Sequence, residues 1–154
     1  MNTVYIGIGS NLGNREKNIQ DVLTKLQTYL DIELVLLSDQ YETTPISNFE
    51  QPKYINCAAE ISTFLSPEEL LDITQSIELD MGRTNKGTGD PRIIDLDILF
   101  YNELILTTDN LIIPHPLAHE RLFVLKPMND IAPDFIHPLL NVSISNLKDE
   151  LNGY

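Results

Sequence analysis

The chain has 154 residues, with 10 Lys plus Arg against 23 Asp plus Glu, a formal net charge of −13. This length suits one domain with its own core, and the composition, 42% hydrophobic and 21% charged, is that of a globular protein rather than a disordered one. The acidic balance argues against general nucleic-acid binding, which needs a basic footprint, and against anionic lipid surfaces. Cys57 is the only cysteine, so no intrachain disulfide can form and a reducing cytoplasm is expected. Set between Asn56 and Ala58, it reads as a small packed hydrophobe rather than a nucleophile. The N-terminus lacks the pattern of a signal peptide, and no apolar run approaches the roughly 20 residues of a membrane span.

In chain order, Thr3–Gly9 alternates and ends in glycine, a strand. Asn14–Leu30 carries Ile19, Val22, Leu23, Leu26 and Leu30 at helical spacing. Ile32–Ser38 reads as a short buried strand, Thr43–Pro52 as a loop and Tyr54–Thr63 as a strand. Ser66-Pro67-Glu68-Glu69 is a capping box with proline at the first helical position. Leu70, Ile73, Ile77 and Met81 form the stripe of that helix, and Gly82 its left-handed stop. Thr84–Pro91 is a glycine-containing loop, and Ile93–Tyr101 is the clearest strand. Leu104–Ile113 holds one or two short strands and Pro114–His119 a turn or short helix. Arg121–Met128 suits either a strand or a helix interrupted by Pro127. The order predicts an α+β domain with a ferredoxin-like βαββαβ core, a mainly antiparallel sheet with helices, and three α/β/α layers overall. One domain over residues 1–154 is expected.

Asp95 and Asp97 are two apart on a strand, so both carboxylates face one side. Ile94, Leu96, Ile98 and Phe100 then form the core face. Two like charges roughly 7 Å apart are costly unless positive charge lies between them, and Mg²⁺ is commonly held by one or two carboxylates plus substrate phosphates. The alternative is a pair of solvated aspartates. Arg83, Lys86 and Arg92 place three of the ten cations in one ten-residue window, with Gly87 and Gly89 allowing close backbone approach to a ligand. A basic loop beside an acidic pair suits a nucleoside triphosphate and phosphoryl-type transfer, in which positioning and charge neutralisation dominate. Gly7, Gly9 and Gly13 match neither the dinucleotide fingerprint nor a Walker A loop, and read equally as a tight strand-to-helix turn. His115, His119 and His137 do not form a zinc-ligand cluster, and His119 reads as a surface residue.

The segments YIGIGSNLGN, QPKYINCAAEI, DPRIIDLDILFYNELI and IIPHPLAHERLFVLKPMNDIAP resemble the 6-hydroxymethyl-7,8-dihydropterin pyrophosphokinase family, from about Tyr5 to Pro138. The resemblance implies an ATP-dependent diphosphotransferase of folate biosynthesis that forms the pterin diphosphate and AMP. It implies two Mg²⁺ ions on Asp95 and Asp97, with Arg83 and Arg92 joining them as the catalytic set. It places ATP on Gln75, Glu78, Arg83, Lys86, Arg92, Ile98 (by its backbone), His115 and Arg121. It places the pterin on Thr43, Thr44, Ile46, Tyr54, Asn56 and Phe123, the last by stacking. Tyr54 and Asn56, two apart on a strand, share a face as a pocket would need.

The implied partners are ATP and the pterin, for a cytoplasmic monomer that contacts neither nucleic acid nor membrane. The chain departs from the family at several points. Many members carry an Arg-Trp pair before Gly-Pro-Arg, whereas the loop here reads NKGTGDPR and the chain has no Trp. Thr44 stands where proline is common, Asn110 where arginine can occur, and Pro116 where an aromatic can occur. A non-catalytic ligand-binding module would not require a carboxylate pair beside a basic loop. An RNA-binding domain would show exposed aromatics on a basic sheet.

Overall fold

A computed structural model describes residues 1–44, 51–82 and 93–152. The elements are β1 (Asn2–Ser10), α1 (Arg15–Gln27), β2 (Ile32–Leu37), β3 (Tyr41–Thr43), β4 (Tyr54–Thr63), α2 (Pro67–Asp80), β5 (Asp95–Tyr101), β6 (Leu106–Thr107) and β7 (Ile112–Ile113). A 3₁₀ turn at Ala118–Glu120 and helices α3 (Leu122–Ile131) and α4 (Ile144–Asn152) follow. The main sheet runs β2-β4-β1-β5, all pairs antiparallel, and β3 pairs with β4 beyond the end of β2. With α1 and α2 in the connections, this is the expected ferredoxin-like arrangement.

Period-two alternation gives the sheet two buried faces. Val4, Ile6 and Ile8 of β1 pack with Ile19, Val22 and Leu26 of α1 and Leu70 and Ile77 of α2. Tyr5 and Ala58 face the opposite way, against Val124, Leu125 and Met128 of α3 and Ile144 and Leu147 of α4. Both faces are therefore covered, giving three layers. The helix starts follow the sequence chemistry. Asn14 caps α1 by accepting from the Lys17 amide, and Ser66 with Glu69 completes the capping box of α2. Gly82, at φ +91°, ends α2 in the left-handed conformation that costs glycine least.

Two expectations about the strands change, and one open alternative is decided. Phe100 does not continue the face of Ile94, Leu96 and Ile98. The β1–β5 register shifts between Tyr5 and Ile6, so Tyr5 pairs with Phe100 while Ile6 pairs with Ile98. That bulge at Leu99 turns Phe100 onto the α3 face, where its ring lies 4.9 Å from Phe135 and 6.5 Å from Tyr5. β2 is an edge strand whose Val35, Leu36 and Leu37 are exposed rather than buried. Arg121–Met128 resolves as helix, starting one residue later, and Pro127 lies inside it without an N–H to give the Phe123 carbonyl.

His119 is half-buried rather than a surface residue, with its ring 5.8 Å from that of His137. His137 is buried, and its Nδ1 accepts from the amides of Leu139 and Leu140. Burial, and then the neighbouring His119, lowers the His137 pKa from its ordinary 6.5. Below about pH 6.5 the unfolded chain therefore takes up a proton that the folded chain resists. Folding free energy from this site is present above that pH and lost as pH falls towards the lowered native value. His119, with the Glu120 carboxylate 3.6 Å from its Nε2, is the titratable neighbour. Denaturant melts of His137→Gln should show a shallower loss of stability from pH 7 to pH 5 than the unaltered chain, and equal slopes would contradict the assignment.

Candidate active site

β1 supplies a floor with no side chains. Gly7 and Gly9 lie on one face of the strand, each flanked in register by both neighbours. Gly9 sits between Asn56 of β4 and Asp95 of β5, and Gly7 between Ala58 and Asp97. Directly opposed residues of antiparallel strands share a face, so Asn56, Asp95 and Asp97 rise on either side of the glycines. At the usual inter-strand spacing the two walls stand roughly 10 Å apart. Phe123 and Val124 of α3 and Leu99 at the bulge close a cleft that Gly7, Gly9, Asn56, Asp95 and Asp97 also line.

The Asn56 side chain is held. It is buried, and its Nδ2 donates to Thr43 Oγ1 at 2.7 Å. Thr43 reaches it because β3 pairs with β4, Thr43 opposite Tyr54 and Tyr41 opposite Asn56. Tyr54 and Phe123 are half-buried, Phe123 packing against the second core, and Thr44 is exposed. The Arg121 guanidinium lies over the Phe123 ring, 5.3 Å from its centroid, close enough for a cation–π contact.

On the opposite face, Glu78 of α2 is buried and its Oε2 accepts the Leu96 amide at 2.9 Å. Leu96 lies between Asp95 and Asp97, so this carboxylate fixes the strand that carries the acidic pair. Gln75 is exposed one turn earlier on α2. The Ile98 side chain is buried in the first core, which leaves only its backbone for a ligand. The His115 amide donates to the Leu99 carbonyl and its Nδ1 accepts from Leu117, placing the proton of the neutral ring on Nε2. Cys57 is buried, which pushes its thiol up to about 12 and makes it inert as a nucleophile. Ile46, Arg83, Lys86 and Arg92 lie outside the described residues.

Several contributors escape a reading of the sequence. Asn11, fully buried, donates from Nδ2 to Gln51 Oε1 at 2.7 Å and to the Pro52 carbonyl at 3.0 Å. Arg15 donates to the Lys53 carbonyl and pairs with Glu42. These bonds tie the glycine-rich turn to the chain entering β4. Tyr41 donates its hydroxyl to Asp130 of α3, whose carboxylate also accepts the Asp39 amide. The Asp130 bond, ahead of burial, pushes the Tyr41 phenol up to about 12. The pattern SNLGN signals a turn, but partners some 40 residues away follow only from the strand pairing.

The sequence profile of the 7,8-dihydro-6-hydroxymethylpterin-pyrophosphokinase family matches residues 5–133. The chain belongs to this family. It is 42% identical over 131 residues to the 2-amino-4-hydroxy-6-hydroxymethyldihydropteridine pyrophosphokinase of Bacillus subtilis, covering 85% of this chain and 78% of that one. It is 46% identical over 153 residues to the folic acid synthesis protein FOL1 of Dictyostelium discoideum, covering 99% of this chain. The chain spans only 23% of the Dictyostelium protein's length and 20% of a Pneumocystis carinii relative's.

Among solved structures, a Plasmodium falciparum HPPK-DHPS crystal structure with pteroate superposes with a TM-score of 0.79 at 18% identity. That superposition covers 97% of this chain and 42% of the Plasmodium one, and it shows a shared fold. Among the described residues no helix is long and apolar enough to cross a membrane.

Proposed function

We propose that the chain transfers the β,γ-diphosphate of ATP to the hydroxymethyl group of 6-hydroxymethyl-7,8-dihydropterin, releasing AMP. The observation that carries this reading is the shared cleft. A carboxylate pair and a planar-ligand site, Asn56 with Phe123, face each other across two glycines. A hydroxymethyl group on a heterocycle held at one wall reaches a triphosphate held at the other. The hydroxyl oxygen forms a bond to the β-phosphorus, the bond from that phosphorus to the α-bridging oxygen breaks, and the AMP oxygen keeps the electron pair. The hydroxyl proton leaves to solvent.

The donor set fits Mg²⁺. Asp95 and Asp97 are hard oxygen donors beside a floor with no side chains, and among the described residues no group of three or more His, Cys, Asp or Glu could enclose a metal. Two carboxylates that leave positions for substrate oxygens suit magnesium phosphates. When bound, two Mg²⁺ ions would neutralise triphosphate charge and lower the pKa of the attacking hydroxyl. The protein's own part is placement.

In this reading Asn56, held by Thr43, pairs its donor and acceptor with the pterin edge. Phe123 stacks on the ring, and Tyr54, Thr44 and Ile46 complete the pocket. Arg121, His115, Gln75 and the Ile98 backbone serve the nucleotide, and Glu78 holds β5 in place beside it. Arg83, Lys86 and Arg92 supply cations for the transferred group. The reading takes ATP and the pterin as the only partners of a cytoplasmic monomer, away from nucleic acid and membrane, as a net charge of −13 favours. Ion-exchange separation of nucleotides should show AMP formed in step with pterin consumption. ADP formed at the same rate without pterin would overturn the assignment.

A further inference from the structure

Gly9 stands where a side chain would disturb the cleft in one specific way. An added Cβ would lie 2.7 Å from Asn56 Oδ1 and 3.4 Å from Tyr54 Cδ1. The first distance is well inside van der Waals contact, and the second is an ordinary one. The Asn56 amide has little room to yield, because it is buried and its Nδ2 is bonded to Thr43 Oγ1 at 2.7 Å. Rotating the carboxamide away from residue 9 would break that bond or move Thr43. Gly9 also lies inside a strand and is not among the residues with positive φ, so alanine meets no backbone penalty there. The clash is therefore with the asparagine and not with the fold. Gly7, two residues earlier on the same face, differs: its nearest neighbour is the Leu99 side chain at 3.4 Å, a contact that a flexible leucine accommodates.

We propose that Gly9 is a positioning residue for pterin recognition: its missing side chain is the space in which the Asn56 carboxamide sits, in the orientation that Thr43 fixes. The inference rests on the reading of the cleft as a pterin site and deepens it. A strand residue with no side chain, opposite a polar residue bonded on its far side, sets the amide's donor and acceptor directions.

The test is a double-mutant cycle, because two residues that act through one contact are non-additive. Binding of 6-hydroxymethylpterin is followed by fluorescence titration, with Mg²⁺ and a non-hydrolysable ATP analogue present. The proteins are the unaltered chain, Gly9→Ala, Asn56→Ser and the pair. Gly9→Ala is expected to weaken pterin binding at least tenfold with the melting temperature retained. In the Asn56→Ser background the same change should cost less than twofold, since serine leaves the space open. Equal losses in both backgrounds would overturn the proposal, and so would Gly9→Ala binding that matches the unaltered chain. A fall in melting temperature for Gly9→Ala that Asn56→Ser restores supports the same contact, and a fall it does not restore overturns it. Absence of pterin binding by the unaltered chain would overturn the site reading itself, and the proposal with it.

Discussion

Replacing Asp97 with alanine is expected to lower kcat by roughly 10³-fold, the scale on which a single aligned electrostatic contact acts in a closed site. Asp97 and Asp95 share a face, stand roughly 7 Å apart along the strand, and pair in register with Gly7 and Gly9 of the neighbouring strand β1. In the proposed reading a cation shared with substrate phosphates offsets the repulsion between these two like charges. Asp97→Ala should still melt cooperatively as a folded protein while turnover is lost. Asp97→Asn keeps the volume and removes the charge, and should lose activity to a similar degree. Circular dichroism melts and single-turnover AMP release check both halves. Turnover within tenfold of the unaltered chain would remove Asp97 from the reaction.

Phe100→Ala carries the largest expected loss of stability, about 3–5 kcal/mol for a buried phenylalanine truncated in a packed core. Its partners make the result informative. The β5 bulge puts the Phe100 ring beside Tyr5 and Phe135 and edge-on to His137 at 5.5 Å, on the face covered by α3 and α4. A cycle with Phe135→Leu should show a coupling of roughly 0.5–1.5 kcal/mol, as for aromatic pairs in contact. A cycle with Ile77→Val, on the far side of the sheet, should be additive to within about 0.5 kcal/mol. Coupling to Ile77 and none to Phe135 would place Phe100 on the face that unbroken alternation gives it.

That residue shows where sequence reasoning stops. The strand, its acidic face and its apolar face are visible in IIDLDILFY, because a period of two needs no tertiary information. The bulge is not visible, because it is set by pairing with β1, and one inserted residue moves everything after it to the other face. The helix signals were local and legible: the Ser66–Glu69 box and the Gly82 stop appear as the side-chain chemistry requires. α4 had comparable signals, with Ile144 and Leu147 spaced for one face and Ser143 Oγ accepting the Asn146 amide, yet its short span gave little periodicity to read.

The site follows the same division. Asp95 with Asp97, and Tyr54 with Asn56, could be paired from strand spacing alone. That Gly7 and Gly9 form the floor between them required the register of three strands. That Glu78 holds β5 required a helix to pack across the sheet, since nothing in SIELD distinguishes a buried carboxylate from the exposed Asp80. Asn11, Tyr41 and Asp130 tie segments distant in sequence, and only their meeting in space makes them supports of the cleft.

The central claim is attack at the β-phosphorus of ATP by a pterin hydroxyl. ATP labelled with ³²P at the β-position, incubated with Mg²⁺ and 6-hydroxymethyl-7,8-dihydropterin, tests it in one separation. The label should move into the pterin product, with AMP left unlabelled. Label retained in ADP, beside a pterin monophosphate, would contradict it.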